Sequence, residues 1–291
     1  AGTGRRLQHA GKLAALSRYG ARQRSQNTNK ERQKMAQWTP FPHAGDYAFD
    51  AASLKKIWPR LHQGDCEPLP KAAAVLQAWV LFHNGAFEQA AQAGLKAGGD
   101  GITVANKATA IYANYLESKE KTKLDLFLQV AQQAEAQQAA DPKNANAWYW
   151  QAYALGRYGQ GISVSKALAQ GLGGKVKAAL EQTIKLAPKH ADAHIALGAF
   201  HAEVIDKVGS LIGSMTYGVK KDTSLALFKE ALTLNPGSAI GMTEYANGMV
   251  MLEGDKRMKE ATQLYEQAAA CEPLDAMERL DVEMARVELQ D

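Results

Sequence analysis

The 291-residue chain has only two cysteines, Cys66 and Cys271, and neither stands at metal-ligand spacing from the other or from a histidine pair. A cysteine-based zinc site is excluded on that ground, and a reduced compartment is favoured. No apolar run approaches the roughly 18 residues of a membrane span, and no charged-then-apolar leader opens the chain. The expectation is a soluble, cytoplasmic protein, or a periplasmic one if a leader has been removed. Alternating β-branched runs are nearly absent, which argues against any large sheet. There is no Gly-rich phosphate loop with its lysine, and Gly171, Gly173 and Gly174 neither follow a strand nor keep the dinucleotide spacing. A nucleophile elbow is missing, and the carboxylates scatter over polar helix faces without a spacing that assigns acid and base roles. The chain reads as non-catalytic, with no cofactor.

What the chain does have is punctuation. Pro142, Pro188, Pro236 and Pro273 each close an Ala- and Leu-rich helical run that is followed by another. Upstream of Pro236 stand Ser224, Phe228, Ala231 and Leu232, and in the same register before Pro273 stand Ala261, Tyr265, Ala268 and Ala269. A small residue, an aromatic one turn on, and a small residue before the stop let two helices lie close with one ring filling the gap. Beyond the prolines, Ala152, Gly198 and Ala246 supply the small residue of the next helix, and Trp148, His194 and Met242 a bulky one. The pattern predicts an all-α solenoid of helical hairpins over residues 71–275. Two weaker hairpins are expected upstream, over 73–97 and over 103–115 with 124–140.

This register resembles that of the tetratricopeptide repeat (TPR) family, whose unit is about 34 residues. The resemblance implies a right-handed superhelix with a concave face lined by the first helix of each hairpin. Two units are longer, and the extra residues, 159–174 (GQGISVSKALAQGLGG) and 204–220 (VIDKVGSLIGSMTYGVK), fall between the two helices of their hairpins. The segment from Lys189 to Pro236 is similar to regulator-of-microtubule-dynamics-type proteins and to the TPR partner proteins of bacterial TRAP transporters. That resemblance covers about residues 125–275 and implies that the inserted segments border a cavity.

Candidate sites follow from the concave register. Asn146, Tyr149, Tyr153 and Arg157 form an aromatic strip ending in a guanidinium, suited to a peptide or to an apolar ligand with an anionic end. Inter-hairpin packing accounts equally well for part of this strip. The next hairpins present Asp192, Ile195, Ala199 and Glu203, then Ile240, Thr243, Asn247 and Met251. The lysine and asparagine clamp of TPR co-chaperones is matched only by Asn247. The expected function is therefore a scaffold or adaptor for a protein or peptide partner, through Asn146, Tyr149, Tyr153, Arg157 and Asn247. The alternative is a carrier of a small apolar ligand, walled by Ile162, Leu172, Leu211, Ile212, Met215 and Tyr217. His190, His194 and His201 fall near one helical face, but His194 holds the packing position of Trp148 and Met242, so no metal is expected.

The ends differ from the middle. Residues 1–34 carry nine basic residues against the single acid Glu31, leaving 25 basic and 29 acidic residues for the rest. Such a tail is expected to be disordered. Its charge would suit nucleic acid, an anionic membrane surface or an organellar targeting role, and a functionless extension explains it as well; no specific nucleic-acid binding is expected of the chain. Residues 35–70, rich in aromatics and proline, are expected to cap the first hairpin, and residues 276–291 to form a solvating C-terminal cap. On that last helix Met277, Leu280, Met284 and Val287 are expected to face inward, with Glu278, Arg279 and Glu283 toward solvent.

Overall fold

Proline and small-residue punctuation translates directly into paired helices in the computed structural model, which describes residues 38–290. The expectations for the basic tail lie outside the described residues. From Pro40 onward the chain forms one unit. Among the described residues there are fourteen α-helices, one 3-10 turn and no strand.

Helix α1 (Ala51–Leu61) precedes the hairpins. The first is α2 (Ala73–His83) with α3 (Phe87–Ala97), and the second α4 (Gly101–Tyr115) with α5 (Glu120–Ala140). In the third, α6 (Ala145–Gln160) pairs with α8 (Leu172–Leu186), and in the fourth α9 (Ala191–Val208) pairs with α11 (Lys221–Leu234). Helix α12 (Ala239–Glu253) pairs with α13 (Met258–Ala269), and α14 (Ala276–Glu288) follows. The two long units contain short inserted helices, α7 (Val164–Ala169) and α10 (Ser210–Tyr217).

The hairpin register has a visible packing cause. The Phe228 ring is fully buried between α9 and α12, where a Cβ on Gly198 would come to 3.2 Å and one on Gly248 to 2.5 Å of it. Tyr245 stacks on it at 5.3 Å, and Ile195, Ala231, Ala246 and Ala261 complete the cluster. Ser224, the small residue one turn earlier, donates its hydroxyl to the Gly198 carbonyl at 2.7 Å. Removing a ring that two glycines make room for leaves a void worth about 3–5 kcal/mol.

The capping expectations are corrected in part. Phe41 does cover the first hairpin, packing edge-on to Phe87 at 6.0 Å. Beyond it, α1 and residues 60–67 stay on that hairpin through Trp58 and His62, which meet Trp79 and His83, and they also reach α4, α6, α9 and α14. Helix α14 is not a solvating cap either. Val287 is exposed, whereas Asp281 and Val282 are buried. Its polar residues reach back to the start of the chain: Arg60 pairs with Glu278 at 2.8 Å, His43 with Glu283 at 2.6 Å, and Tyr47 donates to the Pro273 carbonyl. The last helix therefore meets the first hairpin and its leading segment, and the series of hairpins closes on itself.

Candidate functional site

The segment 60–67 is held where the N-terminal ends of several first helices converge. Three of those ends are capped by side chains: Asn144 on α6, His190 on α9 and Ser238 on α12 accept from the third amide of their helix. The carbonyl of Gly64 accepts from the Asp192 amide at 3.1 Å, and the Gln63 side chain donates to the Leu234 carbonyl at 2.9 Å. Cys66 adopts a left-handed backbone (φ 51°), uncommon for a residue with a Cβ, and Asp65 and Glu67 on either side are pinned by side-chain contacts. Burial pushes the Cys66 thiol up to about 11, so it is a protonated thiol at neutral pH.

Around this segment lies a buried polar hub. Lys107, a lone cation in the apolar run of α4, reaches Asp65 at 2.6 Å with its ammonium also over the Trp79 and Phe82 rings. Burial disfavours the Lys107 charge, but the Asp65 carboxylate outweighs it and holds the ammonium above its ordinary range. A row of hydrogen bonds runs from Asp65 through His62 (2.9 Å) and His83 (3.2 Å) to Asp275 (2.6 Å). Burial lowers His62 to about 4 despite the Asp65 charge, so it is neutral at pH 7. It donates from Nδ1 to Asp65, which leaves Nε2 as an acceptor toward His83.

Asn146 ties the hub to α6 and α9. Its amide nitrogen donates to the Asp65 carbonyl at 3.0 Å and to Glu67 at 2.6 Å, while its oxygen accepts from His190 Nε2 at 2.9 Å. That tautomer of His190 is fixed because its Nδ1 accepts from the Ala193 amide. Burial lowers His190 to about 4 and raises Glu67 to about 8. Asn146, expected to face a partner, is thus consumed by the chain's own segment. Tyr149 is also buried, with its ring 4.7 Å from that of His190.

Tyr153 and Arg157 remain accessible, in the wall of a half-open cavity of about 110 Å³ beside the hub. The Arg157 guanidinium lies 5.4 Å from the Tyr153 ring centre, pairs with Glu244 at 3.0 Å and donates to Gln160 at 3.2 Å. Opposite, the α9 series expected from the register, Asp192, Ile195, Ala199 and Glu203, all line the cavity. On α12 the lining residues are Ile240 and Glu244 instead of the expected Asn247, whose amide oxygen accepts from Tyr265 of α13. Helix α12 is turned so that Asn247 serves its own hairpin.

Carboxylates outnumber cations in these walls. Burial raises Asp192 to about 7 and Asp281 to about 8, and Asp281 accepts from the Tyr115 hydroxyl. An anionic ligand end would meet Arg157 already paired, which weakens the reading of the strip as a carboxylate receptor.

A second, more apolar hollow of about 120 Å³ lies between α7, α8, α9 and the end of α10, and the two hollows share Gly156, Gln160, Val176, Phe200 and Glu203. Of the residues expected to wall a ligand pocket, Leu172 and Tyr217 do line it, while Ile162, Leu211, Ile212 and Met215 do not. Helix α10 packs through Gly213, where a Cβ would come to 2.8 Å of Val219 and 3.1 Å of Val204, and that docking turns Leu211, Ile212 and Met215 outward. The three α9-region histidines do not converge: His194 bonds the His190 carbonyl, and His201 accepts from the Lys220 amide. Among the described residues no group of three His, Cys, Asp or Glu side chains is placed to hold a metal.

Apart from Asn146, which the sequence assigned to a partner, the residues around Asp65 were not foreseen in the sequence. The one signal was compositional: His83 and Lys107 are the only ionisable side chains on their helices besides tyrosine.

The model of the Regulator of microtubule dynamics protein 1-3 family matches residues 84–288, from the end of α2 to the end of α14. The chain belongs to that family. Its fold is similar to the crystal structure of a thermophilic TPR protein from Thermus thermophilus, with a TM-score of 0.52 and 16% identity, covering 74% of this chain and 97% of that one. No curated protein sequence matches it. Among the described residues no helix is long and apolar enough to cross a membrane.

Proposed function

We propose that this protein is a non-catalytic adaptor whose concave cavity receives a side chain of a protein partner. The observation that carries the reading is the size and lining of the cavity. At about 110 Å³ it is close to engineered cavities of ~150 Å³ that hold a single benzene ring, and well below the ~300 Å³ at which ligand pockets begin. Ile195, Phe200, Val176 and Leu180 give it apolar walls, and the Tyr153 ring with Arg157 gives it a polar edge. One aromatic or aliphatic anchor with a hydrogen-bonding neighbour fits that description, as interface hot spots do. The chain's own segment 60–67 already occupies the adjoining part of the concave face, so a partner would add one anchor and not thread the whole groove.

A second reading, a carrier of a small apolar ligand, draws support from the continuity of the two hollows through Gly156. Gly156 offers the test. A Cβ there meets nothing within 4 Å, so Gly156→Phe can fill the junction without displacing backbone. The adaptor reading expects a stoichiometric polypeptide to co-purify from the native host with the wild type and to be lost with Gly156→Phe and with Arg157→Ala. Native mass spectrometry that finds instead a small apolar mass, released on unfolding, would replace it with the carrier.

A further inference from the structure

The inserted helices carry the most exposed large apolar side chains of the described chain, Met215 (81%), Leu211 (75%) and Ile212 (59%), with Leu168 and Val164 of α7 also exposed. They share one rim: the hollow between the insertions is lined by Val164, Ala167 and Leu168 from one side and by Val208 and Tyr217 from the other, and Tyr217 packs against Gly173. The fold does not require this exposure, because α10 is already docked through Gly213 and Val219.

Charge points to what covers them. Residues 159–178 contain Lys166, Lys175 and Lys177 and no acid, and residues 204–222 hold Lys207, Lys220 and Lys221 against Asp206 and Asp222, so the two insertions together are net basic. Of these, Lys166, Lys175 and Lys220 are exposed and form no ion pair among the described residues. Apolar side chains framed by unpaired lysines are what an interfacial helix needs to sink into a headgroup layer that is anionic. A protein partner or a second copy fits less well, since a stable interface takes about 20–30 residues a side and α7 and α10 have six and eight.

We propose that the rim formed by α7 and α10 docks peripherally on an anionic bilayer surface, with Leu211, Ile212 and Met215 inserted among the headgroups and Lys166, Lys175 and Lys220 against the lipid phosphates. The lipid is the support and not the cargo, so this inference is independent of what the concave cavity holds.

The test uses the full chain with vesicles of phosphatidylcholine, alone or mixed with phosphatidylserine, and reads both co-sedimentation and amide hydrogen exchange. Expected is slower exchange at residues 164–169 and 209–217 on the mixed vesicles and little on the neutral ones. The pair Leu211→Ser/Met215→Ser should lower partitioning by about tenfold or more, and so should Lys166→Glu/Lys175→Glu. All four positions are exposed, so the variants are expected to keep the wild-type circular dichroism. Sedimentation without protection of the two helices would assign binding to the basic residues 1–34 and overturn the proposal. Equal protection on neutral vesicles would overturn its electrostatic half, and protection that arises on concentrating the protein without vesicles would make a second copy the occupant.

Discussion

The hub around residues 60–67 and the rim of α7 and α10 are inversions of each other. In the hub, charged and amide groups are buried and nearly all paired; on the rim, apolar groups are exposed and have no partner among the described residues. Both depart from the usual rule of apolar inside and polar outside, and both departures cost free energy. In the hub the cost is offset by pairing, since Asp65, Lys107, Asn146 and His190 each find partners on the segment or on α4, α6 and α9. On the rim nothing among the described residues offsets it, and that is why the rim, more than the hub, reads as a surface for something else.

The comparison is broken most forcefully in the hub. Asp65→Ala strands the Lys107 ammonium in an apolar surround, and a loss of about 3–5 kcal/mol in urea unfolding is expected. The double variant Asp65→Leu/Lys107→Met should recover much of that; if it is as unstable as the single variant, the pair is not what holds the segment.

The next effect is on pH. Asp192, Glu67 and Asp281 have folded values raised to about 7, 8 and 8, so between their unfolded values near 4 and these figures the folded state binds more protons than the unfolded one. Stability from these groups therefore falls as pH rises. His62 and His190, lowered to about 4, act oppositely and cost stability only as pH falls from 6.5 toward 4. A melting temperature that declines from pH 6.5 to 8.5 is expected, and Glu67→Gln should flatten the decline while leaving the value near pH 5 little changed. A decline unaltered by Glu67→Gln would deny that residue its part.

Two smaller effects sharpen the contrast. Gly156→Ala, in mid-helix with open space at its Cβ, should stabilise by about 0.5–1 kcal/mol in thermal melts. On the rim, Leu211→Ser should stay within about 0.5 kcal/mol of wild type. A larger loss there would mean that the exposed leucine supports the fold after all.

Much of the repeat part was legible because its signals are local. Pro236 and Phe228 lie eight residues apart, and the proline, the ring and the small residues between them belong to one hairpin. Asp192, Ile195, Ala199 and Glu203 could be placed on the concave side for the same reason. The hub was not legible because Asp65 meets Lys107, Asn146 and, through the two histidines, Asp275 across long stretches of chain, and no helical period links such positions. Asn247 and Met215 failed differently: the register assigned Asn247 a face and the apolar composition of its insertion assigned Met215 a pocket, but the rotation of α12 and the docking of α10 through Gly213 decided which way each pointed.

Closure of the hairpin series has a consequence for how the chain is made. An open repeat array can nucleate anywhere and fray from either end, since each repeat contacts only its neighbours. Here Tyr47 waits for Pro273, His83 for Asp275 and Arg60 for Glu278, so the first hairpin and its leading segment cannot make these contacts until the chain has been synthesised through residue 278. Folding is thereby shifted from stepwise growth toward a late, all-or-none event, and a ribosome stalled before residue 273 would hold a chain with an unclasped beginning.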